Sequence, residues 1–140
     1  MRTLRDVVSA NPEIFTGAVR EDENTLSQVE SSLGLQLPED IKWFWLYCGS
    51  GLSGAASNAE TSISDTLRYR EAVGLPSKYL VLEDRNDAGS VFLDTTNGKV
   101  SWVDAHAIHA FVDGTAKTTE YDTFQTFASW VEDCIEQNSD

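Results

Sequence analysis

Residues 30–51, ESSLGLQLPEDIKWFWLYCGSG, encode two helices and the link between them. Gly34 suits the left-handed residue just past a helix end, where a Cβ would be strained. Pro38 suits the first helical position, where a missing N–H removes no hydrogen bond. Glu39 and Asp40 then place negative charge at the positive end of the helix dipole. Ile41, Phe44, Trp45 and Cys48 recur at the i, i+3, i+4, i+7 spacing of one buried stripe. Gly49 and Gly51 stop the helix. Trp43 and Tyr47 form a second stripe, either packed beneath a sheet or partly exposed as binding anchors.

Working outward, residues 3–9 read as a short helix ending before Asn11-Pro12, and residues 12–24 as a charged loop. Thr25 and Gln28 fit a capping box, with Leu26, Val29 and Leu33 on one face of the helix that follows. Residues 50–64 are small and polar and read as loop, or as an edge strand near Glu60 to Ser64. Ser64 or Asp65 is expected to cap a helix through Val73, ended by Gly74 and Pro76. Three strands follow, at Tyr79 to Arg85, Ser90 to Thr95 and Lys99 to Val103, separated by the turns Asn86 to Gly89 and Asn97-Gly98. Ile108 to Val112 reads as a fourth strand. Asp122 is expected to cap a last helix whose apolar face comprises Phe124, Phe127, Ala128, Val131, Cys134 and Ile135. Helices early and late with strands between them define an α+β class: a mostly antiparallel central sheet of four to six strands flanked by helices. The chain reads as one domain over 1–140, with residues 1–24 as an N-terminal extension and loop and 25–137 as the core.

Net charge is -13, from 10 basic and 23 acidic residues. Residues 1–20 hold three arginines against Asp6 and Glu13, so the acidity lies in the remainder. No basic residue follows Lys117, whereas Glu120, Asp122, Glu132, Asp133, Glu136 and Asp140 all do. Such a surface repels phosphate backbones and excludes direct nucleic-acid binding. It attracts a basic protein partner, or else serves solubility. No apolar run reaches the ~20 residues of a membrane helix, and the N-terminus makes a poor signal peptide, so the expected location is the cytoplasm. Cys48 and Cys134 fall on apolar helix faces and read as buried, reduced thiols.

His106 and His109 stand three apart in a stretch that reads as strand and turn, which sends their rings to opposite faces and makes no metal site. Glu83, Asp84 and Asp87 cluster at the first hairpin turn, while Asp94 and Asp104 end the next two strands. Carboxylates converging on one sheet edge serve turn chemistry first. A protein-binding acidic patch is the second reading, and metal binding or acid–base catalysis the third. No nucleophile elbow or phosphate loop is present, so neither an enzyme nor a cofactor is expected.

The order of these residue types resembles the SUKH superfamily, the Smi/Knr-like immunity proteins. The resemblance rests on Glu30, Leu33-Gly34, Leu37-Pro38, Glu39-Asp40, the aromatic run Ile41 to Tyr47, and Gly49 to Gly51, with Trp45 in the core stripe. It continues through YLVLEDRNDAGSVFLD at residues 79–94, KVSWVDAH at 99–106, and the closing helix at 124–135. It implies a bacterial immunity protein that blocks a cognate toxin domain by stoichiometric binding; the acidic charge adds a nuclease as one toxin class, because nucleases are often basic. A non-toxin regulatory interaction module of the same superfamily, in cell-wall control or signalling, is the alternative. The interface is expected at Glu83, Asp84, Asp87, Asp94 and Asp104, with Glu21, Asp22 and Glu23 secondary. The motif residues Leu33, Gly34, Leu37, Pro38, Trp45, Gly49 and Gly51 are expected to build the scaffold.

Overall fold

A computed structural model describes residues 3–15, 19–49 and 55–138; Gly51, and residues 50–54 of the small polar stretch, lie outside them. Helix α1 (Leu4–Ser9) begins at a capping box, in which the Thr3 hydroxyl accepts the Asp6 N–H and the Asp6 carboxylate accepts the Thr3 N–H. A single turn, α2 (Pro12–Phe15), interrupts the expected loop. Helix α3 spans Glu23–Leu33. Its cap is Asp22, not the Thr25–Gln28 box: the Asp22 carboxylate accepts both the Thr25 N–H, at 2.8 Å, and the Thr25 hydroxyl. Gly34 ends the helix at φ 66°, as its position predicts. Pro38 takes the cap of α4 (Glu39–Trp43) rather than its first helical position, since its ψ of 152° is extended. The helix continues as one π-turn, Phe44–Cys48, closed by the Gly49 N–H on the Phe44 carbonyl.

The sheet is four-stranded, antiparallel and ordered β1-β2-β3-β4, from β1 (Tyr79–Asp84), β2 (Gly89–Asp94), β3 (Val100–Asp104) and β4 (Tyr121–Phe124). Helices cover both faces, an α+β arrangement. On one face Leu80, Leu82, Val91, Leu93 and Val100 pack against α1 to α4 and against α7 (Phe127–Asn138). Phe44 lies at the centre, its ring edge-on to Phe15 and Phe127 at 5.9 and 5.2 Å. Leu4, Val7 and Phe15 belong to this core, so the first residues pack as part of the body. On the other face Val81, Phe92 and Val103 meet Tyr69 of α5 (Ala59–Val73) and Ile108 and Phe111 of α6 (Ile108–Asp113).

Three expected elements differ. Helix α5 starts at Asn58, whose side chain accepts the Thr61 N–H, six residues before the expected cap. Its buried positions, Ala59, Ser62, Thr66 and Tyr69, are mostly small or polar, so the apolar periodicity that marks a helix is missing. Residues 108–112 form α6, not a strand: Ile108, Phe111 and Val112 stand at i, i+3, i+4, after a 3-10 turn at Ala105–Ala107. The fourth strand is β4, which takes Asp122 and Phe124 away from α7. Thr126 caps that helix instead, accepting the Ser129 N–H at 3.1 Å. Trp130 joins its buried face, and its indole donates to the Ala55 carbonyl at 2.8 Å. The Trp45 indole reaches the Ser57 carbonyl in the same way, so two tryptophans pin the chain entering α5.

Candidate partner-binding cleft

Strand β1 carries one extra residue against β2. Val81 pairs with Phe92 and Glu83 with Val91, leaving Leu82 as a bulge. The bulge turns Leu82 and Glu83 to the same face and sends Asp84 to the other. Glu83 therefore enters a cleft of about 780 Å³ between the sheet and α7, lined by Trp102, Phe124 and Trp130 with Asp122 and Asp133 at its sides. Within it, the Arg85 guanidinium donates to Glu83 at 3.1 Å and lies between two indoles, 5.2 Å from the ring centre of Trp102 and 5.5 Å from that of Trp130. Arg85 is the single cation among the lining residues, against three carboxylates. Cys134 also borders the cleft, but burial pushes its thiol up to about 12, so it is a poor nucleophile.

Asp84 faces away and serves the fold. Its carboxylate meets Arg68, accepts the Asn86 N–H at 2.9 Å and accepts the Tyr69 hydroxyl at 3.3 Å. Tyr69 in turn shares a hydrogen bond with the buried Ser90 hydroxyl. Burial alone would raise the Asp84 carboxyl; the Asn86 N–H, the Arg68 guanidinium and the Tyr69 hydroxyl outweigh it and hold it below the usual range.

The remaining acids do not converge. Successive strands of an antiparallel sheet end on opposite sides, so Asp94 lies at the far end of β2 from Asp87 and Asp104. There Asp94 is buried, accepts the Thr96 N–H at 2.9 Å and pairs with Lys78 at 3.1 Å, organising the β2–β3 turn. Asp87 is exposed on the first turn, and Asp104 sits opposite Gly89 at the end of β3. Gly89 has φ 147°, and a Cβ there would come within 2.1 Å of the Val103 carbonyl oxygen, so the turn admits only glycine. Glu21 caps α5 from 38 residues away, accepting the Ala59 N–H at 3.0 Å, while its own N–H donates to the Trp45 carbonyl. Asp22 caps α3 and Glu23 is exposed on its first turn. His106 and His109 lie on the 3-10 turn and α6, not on a strand, and His106 stands 3.3 Å from Glu120. Among the described residues no group of three or more potential ligands is placed to hold a metal ion. Tyr47 is 58% exposed and its ring lies tilted beside that of the half-buried Trp43, centres 5.8 Å apart, so this pair is partly exposed.

Sequence reasoning missed Arg85, Trp102, Asp122, Trp130 and Asp133. Trp130 had a signal, because Phe127, Trp130, Val131 and Cys134 keep helical spacing. Asp122 had none, because it is the β3–β4 register that sets it opposite Trp102.

Of the motif residues, Leu33, Leu37 and Trp45 are buried, and Gly49 adopts φ 79°. The Glu30 carboxylate accepts the Leu37 N–H at 2.8 Å and so closes the link between α3 and α4. No helix among the described residues is long and apolar enough to cross a membrane. A search of curated proteins finds no match. A SUKH family model, described as SMI1-KNR4 cell-wall, matches residues 6–136, from α1 to the last turns of α7. The chain belongs to the SUKH family of SMI1-KNR4 proteins.

Proposed function

We propose that this chain is an immunity protein that binds a cognate bacterial toxin domain and neutralises it by stoichiometric association, without turnover. The observation that carries the reading is the cleft beside α7: an aromatic floor edged by Glu83, Asp122 and Asp133, in a chain of net charge -13. Its one cation is already held by Glu83 and two indoles. A basic toxin surface would be steered towards it and would find both carboxylates and flat apolar area to bury. A nuclease fits this charge, because enzymes that hold phosphates carry basic surfaces. Coexpression with the toxin domain encoded beside this gene tests the reading. The two should purify together in equal amounts and the cells should survive; a pair that neither associates nor protects would refute it.

The family's cell-wall description favours a second reading, a regulatory interaction module. The same cleft would then take a basic signalling protein. Partners dominated by cell-wall or signalling proteins, with no protection against a neighbouring toxin, would select it.

A further inference from the structure

The sheet has two edges, and they are treated differently. On β1 the outward Val81 N–H donates to the buried Thr66 hydroxyl at 2.9 Å, and the Leu82 carbonyl accepts the Ser57 N–H at 2.7 Å. Helix α5 and the segment before it therefore close that edge. Strand β4 is the other edge, and among the described residues no strand pairs with its outer side.

The ladder fixes which groups of β4 point outward. The Asp104 N–H donates to the Glu120 carbonyl at 3.1 Å, so 104/120 is a hydrogen-bonded pair. Antiparallel pairs alternate, which makes 102/122 and 100/124 the next bonded pairs. Tyr121 and Thr123 then turn both N–H and C=O away from the sheet. Asp122, between them, turns its side chain into the cleft, and the cleft reaches the strand edge at Thr123.

We infer that the outer edge of β4 is a strand-docking site, on which an extended basic segment of a partner protein pairs with Tyr121 and Thr123. Resting on the reading above for the nature of the partner, this names how that partner is gripped. Main-chain bonds supply the pairing, and alternate side chains supply selectivity. A docked residue beside Asp122 shares its face and directs a lysine or arginine towards Asp122, Glu83 and Asp133. A second copy of this chain is a poor occupant, because it would set Glu120 and Asp122 against their own kind in a molecule of net charge -13.

The probe is a short synthetic peptide alternating lysine with valine, followed by amide hydrogen exchange. Tyr121 and Thr123 should slow by about tenfold or more at saturation, while the Val81 amide stays unchanged. Replacing lysine by glutamate, or methylating the amides that face β4, should abolish the effect. Asp122→Lys should weaken binding by about tenfold or more. Thr123→Pro removes an outward N–H that β3 does not use, which an edge strand tolerates, and should also prevent docking. If that variant fails to fold, Asp122→Lys and the methylated peptide decide. No binding, binding without protection of Tyr121 and Thr123, or equal binding of the acidic peptide would overturn the inference. The immunity reading fails separately: a toxin bound equally well by both variants sinks the strand site alone, and peptide docking without toxin protection sinks immunity alone.

Discussion

Glu30→Ala should open the link that joins α3 to α4. Two interactions are lost: the hydrogen bond from Leu37 N–H at 2.8 Å and the ion pair to Lys42 at 3.6 Å. A hydrogen bond to a charged group contributes about 1.5–3 kcal/mol when its loss leaves a buried donor unpaired. Leu37 is buried, but the bond itself is only partly so, which places it in the lower half of that range. The ion pair, with both members about a third exposed, adds well under 1 kcal/mol. The expected destabilisation is roughly 2 kcal/mol, or a Tm lower by about 6–10 °C for a chain of this length. Glu30→Gln keeps an oxygen for Leu37 and should lose only about 1 kcal/mol, and Lys42→Ala less than about 0.5. Urea unfolding followed by tryptophan fluorescence reads all three against Glu71→Ala, an exposed control. The reasoning fails if Glu30→Ala lies within about 0.5 kcal/mol of that control, or if glutamine is as harmful as alanine.

Gly89→Ala should destabilise by at least about 2 kcal/mol, because the new Cβ meets a backbone carbonyl rather than a yielding side chain; a thermal melt within a degree or so of wild type would contradict it. The Asp94 carboxyl is subject to burial, which raises it, but the Thr96 hydroxyl and N–H and the Lys78 ammonium outweigh this and hold it below its ordinary 3.8. A depressed folded value contributes stability that is full above the unfolded value and lost as the pH falls through the folded one. The gap in unfolding free energy between wild type and Asp94→Asn should therefore be level above about pH 5 and shrink below about pH 4; a gap that widens on acidification would refute the assignment. Burial raises the thiols of Cys48 and Cys134 to about 11 and about 12. A disulfide reagent at pH 8 should leave both unlabelled in the native protein and label both in denaturant.

What could be read in advance follows the range of the interactions. The α3–α4 unit was legible because glycine, proline and apolar spacing act within a few residues. So was the three-stranded meander, through its turn residues. The second half of helix α5 and its Gly74 stop were legible too, but its first turns were not, because the buried positions Ser62 and Thr66 are polar and Thr66 serves the β1 edge through the Val81 N–H. Strand β4 was not, because a four-residue strand with two exposed members has little pattern of its own. The acids divided in the same way. Asp87 is placed by its own turn, whereas Glu21 meets Ala59 from 38 residues away, which no local pattern announces.

The sequence by itself determined the helix stops, the core stripe Ile41, Phe44, Trp45 and Cys48, the acidity and the family motif, since each depends on neighbours or on composition. Only the tertiary structure decided which carboxylates line the cleft. One bulged residue, Leu82, sends Glu83 into the cleft and Asp84 into the fold, because side chains alternate along a strand and an extra residue reverses the alternation. The β3–β4 register then brings Asp122 to Trp102 and leaves Tyr121 and Thr123 facing outward, a placement fixed by hydrogen bonds between segments about twenty residues apart.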